Sequence, residues 1–186
     1  LRDVKFIIAV ASGKGGVGKS AIASNIAAAI AQKGVPTGLL DADIYGPSQP
    51  TMWGMKHSHL PAEERDGKTI VYPAEKYGIK IASMGFLMQE DDAVIVRGPL
   101  LAQYLQMLIE QIEWGKLDFL IFDLPPGTGD IQLTLTQKVP LTGAVIVTTP
   151  QEISIVDVRR SVKMFEKINI PVLGVIENMS YFVPPD

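Results

Sequence analysis

Four glycines lie within residues 13–18 of this chain, and no other feature limits its fold so strongly. They belong to the segment GKGGVGKS at residues 13–20, which follows an apolar run and precedes a stretch with helical periodicity. Glycine lets a backbone turn its N–H groups inward around an anion, where larger side chains would collide. A helix that starts directly afterwards directs its positive end at the same point. The segment therefore predicts a phosphate-binding loop between a buried strand and a helix.

The spacing of this segment, Gly-x-x-x-x-Gly-Lys-Ser, is that of the nucleotide-binding P-loop. The strand before it and the helix after it favour that interpretation over an ordinary glycine-rich turn. We expect Lys19 to contact the β- and γ-phosphates of ATP and Ser20 to give its hydroxyl to Mg²⁺. Lys14 occupies a position that the pattern leaves free. It can stabilise charge on the γ-phosphate or remain a solvated cation, and the sequence leaves both roles open.

Short apolar runs alternate with longer helix-period stretches along the chain, which is typical of βαβ units around a parallel sheet. With 186 residues the chain has the length of one α/β domain, residues 1–186. The predicted strands are residues 6–11, 35–40, 79–84, 117–122, 144–148 and 172–176, and the predicted helices are residues 20–33, 99–114 and 154–167. Residues 45–68, rich in proline, glycine and charge, are predicted to form a long loop with at most short structure.

Aspartates follow two of the predicted strands, at the edge where ligands bind to parallel sheets. Asp123 ends an apolar strand in the manner of a Walker-B motif, and we expect it to hold Mg²⁺ directly or through water. Asp41 and Asp43 end the second strand, and one of them could orient the attacking water. A lone aspartate after a strand is more often a cap or turn residue, but two such sites beside a P-loop favour function. The segment PPGTGD at residues 125–130 predicts a switch that senses the γ-phosphate.

Composition argues against several classes of function. A net charge of −3 disfavours a protein that binds nucleic acid mainly through phosphate neutralisation. The chain has no cysteine, so it contains no disulfide, thiolate metal site or cysteine nucleophile. No apolar run approaches the length of a membrane span. We therefore expect a cytoplasmic protein that binds neither nucleic acid nor membrane.

Three apolar residues, Met52, Trp53 and Met55, follow the segment that contains Asp43. They could dock a partner, or they could simply cover the edge of the sheet. The second role is commoner for isolated apolar residues, so these residues alone do not predict a partner.

The loop around Lys14 resembles the deviant Walker A motif of the ParA/MinD-type ATPases, in the SIMIBI branch of P-loop NTPases. Five further segments narrow the resemblance to the Mrp/ApbC family of iron–sulfur cluster carrier ATPases. They are DADIYGPS at residues 41–48, RGP at 97–99, DLPPGTGD at 123–130, TTPQ at 148–151 and ENMS at 177–180. The match runs from residue 9 to residue 183 in the order found in the family.

The resemblance implies a Rossmann-like α/β fold, with helices on both faces of a mostly parallel sheet. It also implies a homodimer with ATP at its interface, a slow, switch-like ATPase whose partners are iron–sulfur scaffold or apo-acceptor proteins. Lys14, Lys19 and Asp43 would be catalytic: Lys14 would cross to the other subunit's phosphate, and Asp43 would position the hydrolytic water. Ser20 and Asp123 would hold Mg²⁺. The residues expected to bind the nucleotide are Gly13, Lys14, Gly15, Gly16, Val17, Gly18, Lys19, Ser20, Ala21 and Asn178.

By the same resemblance Asn178 would read the adenine edge, and Glu152 and Asp157 could face Lys14 across the dimer. One departure concerns the cluster. Carriers of this family commonly place a Cys-x-x-Cys pair after a segment like residues 181–183, and here Pro-Pro-Asp follows. Because thiolates are the usual cluster ligands, either the cysteines lie outside this chain or this member does not use that site. The family fold normally continues further, so we expect a segment truncated at both ends.

Two alternatives share the P-loop. A positioning ATPase of the chromosome-partition or division-site kind would bind DNA or membrane as an ATP-bound dimer. A basic face or a terminal amphipathic helix would favour it, and neither is evident in the sequence. A metabolic kinase or ligase would need an acceptor-substrate site, for which the sequence offers no candidate. The DIYGPS and PPGTGD segments favour the iron–sulfur carrier family.

Overall fold

The computed structural model describes residues 1, 3–86 and 98–184, and for residues 98–102, 105, 152 and 153 it describes the backbone alone. The strands are β1 Val4–Ala11, β2 Thr37–Asp41, β3 Ala62–Arg65, β4 Lys68–Val71, β5 Ala74–Lys76, β6 Ile79–Ser83, β7 Leu117–Asp123, β8 Gly143–Thr148 and β9 Val172–Glu177. The helices are α1 Lys19–Ala31, α2 Gln49–Met52, α3 Gly98–Glu110, α4 Asp130–Lys138 and α5 Glu152–Lys167. None of these helices is long and apolar enough to cross a membrane.

Within the described residues, seven strands form one sheet in the order β5-β6-β2-β7-β1-β8-β9. Only β5 runs antiparallel to its neighbour in this sheet, so the predicted, mostly parallel α/β fold is confirmed. Helix α1 packs against β7 and β2, and α5 packs against β8. The central strands are apolar because they lie under these helices, and Leu39, Leu40 and Phe122 are completely buried.

The predicted strands and helices are all present, with their ends shifted by a few residues. The largest shift is in α3, which was expected to reach residue 114 and ends at Glu110. The backbone beyond it pairs with β4: Val71 N–H donates to Gln111 O, and Glu113 N–H donates to Val71 O, each at 2.9 Å. Since those groups are committed to the bridge, they cannot continue the hydrogen bonds of the helix.

Strands β3, β4 and β5 and helices α2 and α4 were not predicted individually from the sequence. The hairpin of β3 and β4 lies inside the expected loop, and the residues of β3 are all exposed, so no apolar alternation marks it. Its turn, Asp66-Gly67, has φ angles of 51° and 72°. An Asp-Gly pair of this kind is a hairpin signal and could have revealed the turn. Helix α4 was missed because its apolar residues alternate as they would in a strand.

The parallel strands bring the predicted functional residues to one edge of the sheet. β1, β7 and β2 lie side by side, and Asp41 and Asp123 are register partners across β2 and β7. The last residue of β1, Ala11, leads directly into the glycine-rich loop. The carboxyl ends of three neighbouring strands therefore surround the start of α1.

Candidate nucleotide-binding site

The loop between β1 and α1 needs glycine at its ends for reasons of space and backbone conformation. Gly18 precedes α1 with φ at 83°, a region that residues with a Cβ avoid. A Cβ at this position would also collide with the amide nitrogen of Asn178, and a Cβ at Gly13 would collide with Asp157 of α5. At Gly15, by contrast, a Cβ would meet no described atom within 4 Å. The loop is thus tightly packed at its ends and open in the middle, where an anion can enter.

Lys19, the first residue of α1, forms a buried ion pair. Its Nζ lies 2.5 Å from Asp123 Oδ1 and 3.3 Å from Ser20 Oγ. The Lys19 side chain is 6% exposed and that of Asp123 is fully buried. Charges taken out of water cost several kcal/mol each unless an opposite charge lies beside them, so each of these groups requires the other.

This pair also tests whether the predicted magnesium ligands fit a cation. The hydroxyl of Ser20 and the carboxylate of Asp123 are hard oxygen donors, of the kind that Mg²⁺ prefers. Both oxygens contact one positive charge, the Lys19 ammonium. The ammonium therefore occupies the kind of position that a cation bound by both oxygens would take. The donor set and its arrangement therefore fit the group that the sequence predicts.

Gln49 is a residue of this site that sequence reasoning missed. Its side chain is completely buried. Nε2 donates to Asp123 Oδ2 at 2.9 Å and to the Ser20 carbonyl at 3.1 Å. Oε1 accepts from the hydroxyl of Ser24 at 2.6 Å and from the indole N–H of Trp53 at 3.0 Å. The sequence gives no sign of this, because Gln49 begins a helix of only four residues inside the expected loop.

Asp41 organises the backbone that follows β2. Its carboxylate accepts hydrogen bonds from the backbone N–H groups of Asp43, Ser48 and Gln49 and from the hydroxyl of Ser83. Burial, together with the nearby Asp123 carboxylate, raises the pKa of Asp41 from its ordinary value of 3.8 to about 7, although these hydrogen bonds oppose the shift. With its oxygens committed to the loop, Asp41 is less suited than Asp43 to orient a water molecule.

Asp43 is half-buried and points back toward the site. Its carboxylate accepts hydrogen bonds from the backbone N–H groups of Gly46, at 3.2 Å, and Tyr45, and from no side chain among the described residues. Burial raises the pKa of Asp43, and the ammonium of Lys19 opposes the shift. Of the two aspartates at the end of β2, Asp43 therefore accepts fewer hydrogen bonds from the protein and is better able to accept one from water.

Lys14 does not contact the Lys19–Asp123 pair. Its Nζ donates to Gln151 Oε1 at 3.3 Å, and Gln151 Oε1 also accepts from the hydroxyl of Thr149 at 2.6 Å. The Lys14 carbonyl accepts from Ser12 Oγ at 2.8 Å, which fixes the backbone on this side of the loop. The Lys14 side chain is thus directed at Gln151 and not at the Lys19–Asp123 pair. The side chain of Glu152 lies outside the described atoms.

Asn178 joins the end of β9 to the glycine-rich loop. Its Nδ2 donates to the Val17 carbonyl at 2.9 Å, and its backbone N–H donates to Thr148 O at 2.8 Å. Ala21 lies in the first turn of α1, where its carbonyl accepts from Asn25 Nδ2 at 2.7 Å. The structure therefore brings Asn178 and the loop together, although residues 18 and 178 are far apart in sequence.

The segment predicted to be a switch lies directly beside the loop. Leu124 N–H donates to Val10 O at 3.1 Å, and Gly127 N–H donates to Ser12 O at 2.8 Å. Gly127 has φ at 97°, a conformation that favours glycine. A displacement of the backbone at Ser12 would therefore strain or move residues 124–127 through these hydrogen bonds.

The family model ParA, described as NUBPL iron-transfer P-loop NTPase, matches residues 3–186 of this chain. The chain belongs to this family. An iron–sulfur cluster carrier protein from Synechocystis sp. is 55% identical over 184 residues, which cover 99% of this chain and 52% of that protein. The NUBPL-type chain spans about half the length of the curated relatives it matches. The resemblance recognised in the motifs is therefore confirmed, although Arg97 of the RGP segment lies outside the described residues.

Two solved structures resemble this chain over all or nearly all of its length. A nucleotide-binding protein from Archaeoglobus fulgidus in complex with ADP is 39% identical with a TM-score of 0.85, over 100% of this chain and 71% of that one. The septum site-determining protein MinD from Pyrococcus horikoshii, complexed with Mg-ADP, is 19% identical with a TM-score of 0.67, over 94% of this chain and 70% of that one. At this lower identity the likeness concerns the fold alone.

Proposed function

We propose that this chain is the ATP-binding unit of a dimeric switch protein that hydrolyses ATP slowly and acts in iron–sulfur cluster assembly or transfer. The observation that carries the proposal is the buried positive charge that Ser20 and Asp123 share at the start of a P-loop helix. It supports a site for Mg-ATP in a chain of the NUBPL-type family. The ADP bound to the relative from Archaeoglobus fulgidus supports it further.

Four residues of the site have roles in binding: Lys19, Ser20, Asp123 and Asn178. Lys19 and the backbone N–H groups of the loop bind the phosphates. Mg²⁺, held by Ser20 and Asp123, supplies positive charge to the phosphate oxygens. Asn178 already uses its Nδ2 on the Val17 carbonyl, which leaves Oδ1 as an acceptor. Adenine presents an amino group where guanine presents an oxygen, so an acceptor here favours ATP over GTP.

Hydrolysis requires an oriented water and stabilised charge. Asp43, which accepts fewer hydrogen bonds from the protein than Asp41 does, accepts one from the water that attacks the γ-phosphorus. As the water oxygen bonds to the γ-phosphorus, the bond from that phosphorus to the β–γ bridging oxygen breaks and ADP leaves with the bridging oxygen. The proton of the water passes to the departing phosphate or to solvent. Lys19 stabilises the developing charge, and Lys14 does so from a second copy of the chain. That assignment accounts for a lysine directed at Gln151 and not at the Lys19–Asp123 pair of its own chain.

The two segments that follow Asp43 and Asp123 are the ones that respond to the presence of the γ-phosphate. Asp41 holds the first through the N–H groups of Ser48 and Gln49, and Gly127 ties the second to Ser12. Loss of the γ-phosphate relaxes both, which changes the affinity for partners. The iron–sulfur cluster is cargo in this scheme, its thiolate ligands come from outside these 186 residues, and the recipients are apo-acceptor or scaffold proteins.

The test uses the full-length protein, reconstituted anaerobically with iron and sulfide. Its absorption spectrum and metal content are followed with and without Mg-ATP, and an Asp43→Asn variant serves as the control that binds nucleotide without turning it over. A cluster that passes to an apo-acceptor in a nucleotide-dependent way is the expected result. A preparation that hydrolyses ATP and dimerises but never holds or passes a cluster would overturn the carrier role.

A further inference from the structure

Gln49 has no part in the proposed reaction, yet its buried side chain links three elements of the fold. Both amide hydrogens are used, on the Ser20 carbonyl and on Asp123 Oδ2. Both lone pairs of Oε1 are used as well, by the Ser24 hydroxyl and the Trp53 indole N–H. Since an amide has two donors and one oxygen with two lone pairs, this side chain is fully occupied.

The orientation of the Gln49 amide is fixed by what lies at its nitrogen end. A flipped amide would direct its oxygen at the Asp123 carboxylate and the Ser20 carbonyl, and both contacts would be repulsive. The flip would also turn the NH₂ group toward the indole N–H of Trp53. The carbonyl therefore faces Trp53 for as long as Asp123 Oδ2 accepts from Nε2.

Asp123 is the residue whose surroundings must change when the proposed nucleotide binds. Its other oxygen lies 2.5 Å from the Lys19 ammonium, which neutralises it. A lysine that turns to phosphate gives up this contact, and another cation must neutralise the carboxylate. Gln49 and Asp123 are both completely buried, so loss of the 2.9 Å bond between them would leave two buried polar groups unpaired. A displaced Asp123 therefore draws the Gln49 amide with it.

The other end of the connection reaches the surface. Trp53 is half-buried and, with Met52 and Tyr77, lines a groove of about 420 Å³. Met52 is 46% exposed and Tyr77 is 79% exposed. The ring centroids of Trp53 and Tyr77 are 6.2 Å apart, and the Trp53 carbonyl accepts from Lys76 Nζ at 2.6 Å. The indole is thus held by Gln49 on its inner side and contacts exposed groups on its outer side.

We propose that Gln49 is a positioning residue that transmits the occupancy of the Ser20–Asp123 site to the indole of Trp53. The position of the indole in the groove at Met52, Trp53 and Tyr77 thereby changes with the nucleotide state. This assignment rests on the nucleotide site proposed above. It gives the apolar residues after Asp43 a second role besides covering the sheet edge.

The test observes the indole hydrogen bond itself. In full-length, ¹⁵N-labelled protein, the Trp53 indole N–H resonance is assigned by its absence in Trp53→Phe. Addition of Mg-ADP, with binding measured separately by calorimetry, is expected to shift that resonance. Trp114, the other tryptophan of the sequence, is 2% exposed, and its indole N–H makes no hydrogen bond with the described residues, so its signal is the internal reference.

Two variants separate the connection from general effects of binding. Gln49→Met keeps the length of the side chain and removes both hydrogen bonds at each end. Its own dissociation constant for Mg-ADP is measured first, and at a nucleotide concentration that saturates the variant the Trp53 resonance is expected not to respond. Ser24→Ala removes another hydrogen bond to the same oxygen, and the response remains. A Trp53 resonance that responds equally in Gln49→Met, or that never responds in wild type with nucleotide bound, would overturn the inference. Wild-type protein that binds no nucleotide would instead overturn the proposed function and the inference with it.

A reciprocal measurement keeps the inference testable if Gln49→Met does not fold. Coupling between two sites acts in both directions, so loss of the indole hydrogen bond must alter nucleotide affinity. Trp53→Phe is expected to change the dissociation constant of Mg-ADP by about fivefold or more. Tyr77→Phe, which alters the same groove without touching Gln49, should leave it unchanged. Equal constants for wild type and Trp53→Phe would contradict the connection.

Discussion

Asp118 and Asp123 belong to the same strand and each pairs with a lysine, but one pair faces solvent and the other is buried. Lys5 and Asp118 are 69% and 29% exposed, whereas Lys19 and Asp123 are 6% and 0% exposed. Exposed pairs contribute at most about 1 kcal/mol, while removal of one partner from a buried pair costs about 3–5 kcal/mol. The two aspartates therefore form a matched comparison within β7.

We expect Asp123→Asn to lower the free energy of unfolding by about 3 kcal/mol or more, because it leaves the Lys19 ammonium buried without a counter-charge. Asp118→Asn should lower it by less than about 1 kcal/mol. Urea unfolding without nucleotide or Mg²⁺ measures both. Similar losses in the two variants would show that the Lys19–Asp123 pair is not a buried charge pair in solution.

The two lysines of the loop should separate binding from hydrolysis. Lys19→Ala removes a charged hydrogen bond to phosphate and is expected to weaken ATP binding by about ten- to a hundredfold. Lys14→Ala should leave affinity nearly unchanged, since Lys14 contacts Gln151, but should lower turnover by about a hundredfold or more. Calorimetry and phosphate release measure the two quantities. Equal losses of affinity would place Lys14 at its own chain's phosphate.

Asp43→Asn keeps the size of the side chain and removes its charge, so it should reduce turnover by about a hundredfold or more with little change in nucleotide affinity. Asp66→Asn, in the exposed turn between β3 and β4, is the control and should change neither. Should Asp43→Asn hydrolyse ATP at the wild-type rate, the water would have to be oriented by another group.

The raised pKa of Asp41 predicts how stability depends on pH. Between pH 3.8 and about 7 the folded protein keeps a proton that the unfolded chain has lost. The free energy of unfolding should therefore fall as pH rises through this window, by up to about 1.4 kcal/mol per pH unit from this group. Urea unfolding with a chelator between about pH 4.5 and 7.5 measures the slope, and Asp41→Asn should flatten it. A variant with the wild-type slope would assign the dependence to other groups.

Substitution of single glycines tests the conformation of the loop. Gly18→Ala forces a Cβ into a left-handed backbone and against Asn178, and should cost about 1–3 kcal/mol of stability. Gly15→Ala meets open space and should change stability by less than about 0.5 kcal/mol. Thermal unfolding of the nucleotide-free protein compares them, and equal midpoints would argue against the loop conformation described here.

The sequence allowed the sheet edge to be predicted because its signals are local. The glycine spacing before Lys19 and the apolar runs that end at Asp41 and Asp123 each follow from nearby residues. Gln49 could not be found in this way, since its importance comes from contacts with α1 and β7, elements far from it in the chain. The residues alone left the choice between Asp41 and Asp43 open, although the family resemblance implied Asp43. A physical reason for that choice comes from hydrogen bonds that form only in the folded loop.

The strand order has a consequence for synthesis of the chain. β7 lies between β1 and β2, so the strands that carry the glycine-rich loop and Asp41 are not hydrogen-bonded to one another. Lys19 and Asp123 are 104 residues apart. At ribosomal rates of about 5–20 residues per second, roughly 5–20 s separate the emergence of the lysine from that of its counter-charge. Until Asp123 has emerged, the ammonium of Lys19 lacks the carboxylate that allows it to be buried. A nascent chain that ends before β7 should therefore be unable to retain nucleotide.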